Sequence, residues 1–255
     1  MYKLTKSNYS PRAWSHLKTY IKPRITFPLK INIWNMSSDS SNNLAKAVAV
    51  DTLATKSLVK PNPQRDNAII NSEKKGLPAI TVSALQGQYL AIQCQLIGAK
   101  TVLEIGTLGG YSTIWFSQAG AKVTSIEINP KHRDVALENT KGLDPEIILG
   151  AALDVLPKLA EEGRKFDLVF IDADWGEQWD YFDWAVKLTR AKGCIYVDNV
   201  VRTILEDELL EPGKESLVTK AGEDGRVTAT LVSTVNSHKN SPDQQYDGFL
   251  LAVVH

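Results

Sequence analysis

From residue 101 to the C-terminus, short apolar runs alternate with stretches whose apolar residues recur at helical spacing. TVLEIG (101–106), KVTSIEI (122–128), EIILG (146–150), KFDLVFID (165–172) and KGCIYVDN (192–199) read as strands. Between them GYSTIWFSQAG, PKHRDVALENTK, ALDVLPKLAEEG and EQWDYFDWAVKLTR read as helices, the second opened by Pro130 at a first-turn position. Such alternation predicts a parallel, doubly wound α/β sheet with helices on both faces. The end breaks it: RVTATLVSTVN and QYDGFLLAVV are two strand-like runs separated only by a polar, turn-rich stretch, so they are expected to pair antiparallel.

Ahead of this core, NNLAKAVAVDTLATKSLV (42–59) places Leu44, Ala47, Val48, Leu53 and Leu58 on roughly one helical face, with Asn42 or Asn43 available as N-cap. The helix is expected to stop at Pro61, and the segment through Pro63, Gly76 and Pro78 reads as loop. TVSALQGQYLAIQCQLIGA (81–99) then returns to helical spacing.

Residues 1–41 are set apart as a basic N-terminal extension: Lys3, Lys6, Arg12, Lys18, Lys22, Arg24 and Lys30 precede the first acidic residue, Asp39. A mitochondrial presequence has this bias, but Pro11, Pro23 and Pro28 interrupt a long amphipathic helix. Met36 opens a second plausible start, so a disordered extension is an equal reading. Residues 42–255 are expected to be one domain.

With 255 residues and zero formal net charge, the totals point away from a nucleic-acid partner. No apolar run reaches the ~18 residues of a membrane span. Cys94 and Cys194 each lie within an apolar stretch, which fits buried reduced thiols in an intracellular protein, cytoplasmic or mitochondrial. The four histidines show no metal-ligand spacing.

In open α/β sheets ligands bind at the carboxyl ends of strands. The first run ends in LEIGTLGGYS, whose Gly106, Gly109 and Gly110 permit a tight turn before a helix N-terminus. The second ends at Glu127, about 20 residues past the first strand, where an acid can accept both hydroxyls of a ribose. Together they predict an adenosyl-type ligand. A nicotinamide dehydrogenase is the rival, weakened because G-x-x-G-G is not G-x-G-x-x-G and because Glu104 beside the loop would repel a pyrophosphate. A cationic ligand suits that carboxylate.

The fourth run ends at Asp172 and the fifth at Asp198-Asn199. If the two strands are neighbours, about 4.8 Å apart, two carboxylates and an amide oxygen converge at one sheet edge. Such hard oxygen donors suit Mg²⁺, and Ca²⁺ or Mn²⁺ less specifically. Either aspartate alone could instead cap the next helix. Asp174 keeps two readings, as part of a cofactor's polar shell or as a helix cap.

In order, VLEIGTLGGYS, SIEI, GAA, FDLVFIDAD and YVDN resemble the motifs of the cation-dependent, S-adenosylmethionine-using O-methyltransferases of the catechol and caffeoyl-CoA type. The resemblance covers about residues 42–255 and is strongest over 81–200. It implies the class I methyltransferase (Rossmann-like) sheet of seven strands, mostly parallel with a C-terminal antiparallel hairpin, ordered 3-2-1-4-5-7-6. It implies metal ligation by Asp172, Asp198 and Asn199, with Asp172 also catalytic. Cofactor contacts are implied at Val82, Glu104, Gly106, Thr107, Tyr111, Ser112, Glu127, Ala152 and Asp172. The implied reaction is metal-dependent methyl transfer from S-adenosylmethionine to a hydroxyl of a small aromatic vicinal diol, catechol-like or phenylpropanoid. Homodimers are common in the family.

One position departs from the pattern. Relatives carry a lysine acting as general base three residues after the first metal aspartate, and here that residue is Trp175. This admits a non-catalytic, S-adenosylmethionine-binding scaffold as the alternative function. Trp179, Phe182 and Val186 are expected to pack their helix on the sheet, whereas Trp175 is placed as a wall against a planar substrate. LEDELLEPGKE (205–215) reads as a solvated loop or helix.

Overall fold

The computed structural model describes residues 40–211, 213–238 and 245–255. Residues 1–39 of the basic N-terminal extension lie outside them, and with them both of its readings.

Three helices precede the sheet: α1 (Ser40–Leu58), α2 (Pro63–Lys74) and α3 (Ala84–Ile97). α1 begins at Ser40, ahead of both asparagines considered as its cap. α2 corrects the loop expected there. Asn62 caps it by accepting the Arg65 amide at 3.1 Å, and Pro63 falls in the first turn, where its missing N–H costs no helical hydrogen bond. A proline read as a breaker is therefore an opener. α3 is capped by the Ser83 hydroxyl and ends at Gly98 in the left-handed region.

The alternating core follows as β1 (Thr101–Ile105), α4 (Tyr111–Gln118), β2 (Lys122–Glu127), α5 (Pro130–Asn139), β3 (Glu146–Leu149), α6 (Ala152–Glu161), β4 (Phe166–Ile171), α7 (Gln178–Leu188) and β5 (Thr189–Val197). A single 3₁₀ turn, Trp175–Glu177, leads into α7. Two short helices that the apolar pattern did not announce, α8 (Val200–Glu206) and α9 (Leu217–Glu223), come before β6 (Val227–Val235) and β7 (Tyr246–Val254). α9 starts with a reciprocal capping box between Ser216 and Thr219.

The described residues form a seven-stranded sheet ordered β3-β2-β1-β4-β5-β7-β6, the order the family resemblance implied. β1 to β5 pair in parallel, and β7 lies antiparallel between β5 and β6.

Strand side chains alternate between two cores, because successive residues face opposite sides of a pleated sheet. Leu103, Ile105, Val169, Ile171, Ile195 and Val197 pack with Leu156, Phe182 and Val186 on one face. Val102, Leu168, Phe170 and Tyr196 pack with Leu90, Ile114 and Phe116 on the other. Cys94 and Cys194 are buried free thiols in the second core, and burial pushes them up to about 12 and about 11, leaving them unreactive at neutral pH. Among the described residues, no helix is long and apolar enough to cross a membrane.

Candidate active site

β1 leaves the sheet at Gly106, whose φ of 93° places it in the left-handed region. A Cβ there would stand 2.0 Å from the carbonyl oxygen of Asp172, so only glycine lets the loop turn this closely beside the end of β4. The loop is held from two sides. Glu127, at the end of β2, accepts the amides of Thr107 (3.1 Å) and Leu108 (2.8 Å) on one oxygen and that of Asn129 (2.8 Å) on the other. From α5, the buried Asn139 donates to the Gly109 carbonyl at 2.9 Å and itself accepts from Asn71 of α2 at 2.8 Å. The helix absent from the sequence reading thus braces the glycine loop.

Above the loop opens a cavity of about 520 Å³, within the range of small-ligand pockets. Val82, Gly106, Thr107, Tyr111, Ser112, Glu127, Ala152 and Asp172 all contribute to its wall, so residues spread over some 90 positions of the chain line one cavity. Asp174 also lines it and makes no side-chain cap bond to the turn that follows.

Glu104 is placed differently: it is fully buried beneath the loop and outside the cavity wall. Its carboxylate accepts the hydroxyls of Ser112 (2.5 Å), Thr113 (2.5 Å) and Ser125 (2.6 Å). Burial raises it to about 7, against the opposing pull of those three hydroxyls.

The second group of predicted residues gathers at the ends of β4 and β5. The Asp172 amide donates to Ile105 O and the Asp198 amide to Ile171 O, both at 2.9 Å, so the two aspartates directly extend neighbouring parallel strands. Asp198 is buried, and its carboxyl lies well above the usual carboxylate range, first through burial and then through the charges of Asp172 and Asp247. Gln86, in the first turn of α3, donates to Asp198 Oδ1 at 2.7 Å and to Tyr196 Oη at 3.1 Å. Gln178, opening α7, donates to the Asp198 carbonyl at 3.1 Å. Asn199 follows in the left-handed conformation, φ 59°, with Nδ2 donating to Asp247 Oδ2 at 2.8 Å.

Among the described residues, no cluster of three His, Cys, Asp or Glu side chains could hold a metal ion. The donor set at this edge is two carboxylates and an amide. The charge of Asp172 raises the buried Asp198 carboxyl, a repulsion that a divalent cation between them would offset, and all three groups supply hard oxygens. The residues fit such an ion.

Trp175 does not belong to the wall of the 520 Å³ cavity. Its ring lies against the guanidinium of Arg202 from α8, 4.6 Å from the ring centroid, and Arg202 in turn lies 3.9 Å from Asp247. Trp179 and Phe182 stack at 5.9 Å and, with the buried Val186, pack α7 on the sheet as their spacing predicted.

A profile of the O-methyltransferase family matches residues 66–236. The chain belongs to the O-methyltransferase family. It is similar to a catechol O-methyltransferase of Mycobacterium tuberculosis, 39% identical over 216 residues, 80% of this chain and 94% of the relative. An O-methyltransferase of Aspergillus flavus is 39% identical over 202 residues, 72% of this chain and 79% of the relative. The crystal structure of an O-methyltransferase from Bacillus cereus in complex with SAH superposes with a TM-score of 0.74 at 35% identity, over 83% of this chain and 100% of that one.

For this O-methyltransferase, several site residues escaped the sequence reading. His132 and the exposed Ile128 line the cavity beside Glu127, with His132 Nδ1 3.7 Å from the acid. Their position just past the strand-ending acid was the available signal. Gln86, Arg202 and Asp247 carried no local signal, since each is brought to the β5 end only by the fold.

Proposed function

We propose that this chain transfers the methyl group of S-adenosylmethionine to a hydroxyl of a small aromatic vicinal diol, with a divalent cation, Mg²⁺ in the first instance, at Asp172, Asp198 and Asn199. The observation that carries this reading is the placement of Asp172: it lines the cavity above the glycine loop and also extends the strand beside Asp198. One residue therefore faces both candidate binding places. The names of the mycobacterial relative and of the SAH-bound bacillary structure support the substrate class and the cofactor.

The cavity residues divide the work of holding the cofactor. The glycine loop would bring backbone close to it, Glu127 would offer a fixed carboxylate to its ribose, and Val82 and Ala152 would supply apolar contact, while Glu104 lies buried outside the cavity wall. A phenol, with a pKa near ~10, is a poor nucleophile at neutral pH, and a bound divalent cation favours its oxyanion. Asp172 and Asp198 set the charge of that place, and Gln86 holds the Asp198 carboxyl by donating to its Oδ1. Orienting one hydroxyl in line with the methyl group can contribute roughly 7–11 kcal/mol. With Trp175 where relatives carry a lysine, no side-chain amine at that position takes the proton, which suits deprotonation driven by the cation and the site carboxylates. Residues 42–255 are read as the single catalytic domain.

The test is an assay of the purified protein with labelled S-adenosylmethionine and catechol, with and without EDTA. Methyl transfer that EDTA abolishes and Mg²⁺ restores is the expected result. Tight cofactor binding without transfer to any member of a broad diol panel favours the scaffold alternative instead.

A further inference from the structure

β7 brings a buried acid to the end of β5. Asp247 is 3% exposed, and its carboxylate is held by the Gly248 amide (2.7 Å) and the Arg202 amide (3.4 Å) on Oδ1, with Arg202 Nη1 at 3.9 Å from Oδ2. On Oδ2 it takes the Asn199 Nδ2 hydrogen at 2.8 Å. An ionised carboxylate only accepts hydrogen bonds, so the contact fixes which end of the Asn199 amide faces it. Nδ2 is turned toward Asp247, which leaves Oδ1, the one side-chain atom of Asn199 able to ligate a hard cation, on the other arm of the planar group. Asn199 needs such control, because it sits in a left-handed backbone conformation and makes no cap bond to α8.

We propose that Asp247 is a positioning residue for cation binding, orienting Asn199 so that its Oδ1 is presented as a ligand. The guanidinium of Arg202, stacked on Trp175, lies 3.9 Å from the same carboxylate oxygen, Oδ2. Trp175 is thereby tied to the metal-binding end of β5 through Arg202 and Asp247. The inference rests on the cation reading of Asp172, Asp198 and Asn199 given above.

Mn²⁺ serves as the probe, titrated calorimetrically into the full-length protein saturated with S-adenosylhomocysteine. D247A is expected to weaken Mn²⁺ binding by about 10–100-fold while S-adenosylhomocysteine affinity and the circular dichroism spectrum stay unchanged. In turnover, the Mn²⁺ concentration for half-maximal rate should rise while kcat at saturating Mn²⁺ recovers. D247N, which keeps the volume and one acceptor oxygen, is expected to show an intermediate loss and covers the case in which D247A does not fold. Mn²⁺ affinity within twofold of the parent in a folded variant overturns the proposal. Failure of the parent protein itself to bind Mn²⁺, or binding untouched by D198A, overturns the cation reading instead and is distinguishable from the first result.

Discussion

The side-chain amide of Gln86 is hydrogen-bonded to the Asp198 carboxylate at 2.7 Å across 112 residues of sequence, and this contact joins the start of α3 to the end of β5. Val82, four residues before Gln86, lines the cavity, so one short segment serves both halves of the site. Removing a hydrogen bond to a buried charged group costs about 1.5–3 kcal/mol. On the cation reading proposed above, Q86A is therefore expected to lower methyl transfer roughly 10- to 150-fold at limiting Mg²⁺. A Mg²⁺ titration of initial rates checks it; an unchanged half-saturation point would show that Gln86 serves α3 alone.

Glu104 should leave a signature in stability. Its carboxyl is raised by burial from 4.5 to about 7 in the folded chain, so the folded state holds a proton that the unfolded state has released between those values. The sign follows: this group's contribution to stability is greatest below about pH 4.5, falls as pH rises toward 7 and is level above. The total change is on the order of 3 kcal/mol, for a group with no solvent exposure. E104Q removes the ionisation, and urea unfolding at pH 5 and pH 7.5 should show a smaller difference between the two pH values than in the parent chain.

Gly106 tolerates no side chain. With φ at 93° and the Asp172 carbonyl 2.0 Å from a prospective Cβ, G106A must either strain the turn or push β1 and β4 apart at the point where the cavity begins. The conformational strain alone is about 1–3 kcal/mol. Thermal melting should show a loss of several degrees, and S-adenosylhomocysteine affinity should drop with it. A melt and an affinity equal to the parent's would mean that the loop relaxes freely.

Trp175 can be tested by introducing the lysine that the family resemblance implies at this position. A lysine at 175 would lie beside the Arg202 guanidinium, whose fixed positive charge lowers an amine below its ordinary value of about 10.4. W175K is expected to add an acid limb to the kcat–pH profile, with rates falling as pH drops below the lysine's pKa and the amine becomes protonated. A profile over pH 6–10 indistinguishable from that of the parent would place position 175 out of reach of the reacting hydroxyl.

Much of this was legible in the linear chain. The alternation of apolar runs with 3.6-periodic segments determined the α/β class, because strands and helices bury different residue spacings. The glycine loop, Glu127, Asp172 and Asp198-Asn199 announced themselves by standing at strand ends, and a parallel sheet aligns those ends on one edge. α2 was misread because Pro63 carries the same letter whether it opens a helix or breaks one, and only its Asn62 cap decides.

The tertiary structure alone decided what surrounds those residues. It placed Glu104 beneath the loop rather than in the cavity wall, since residues facing α4 alternate with residues facing the other core. It also brought Gln86 to Asp198, Asp247 to Asn199 and Arg202 to Trp175. These contacts depend on β7 inserting antiparallel beside β5 and on α3 packing across the sheet, long-range pairings that no local spacing encodes.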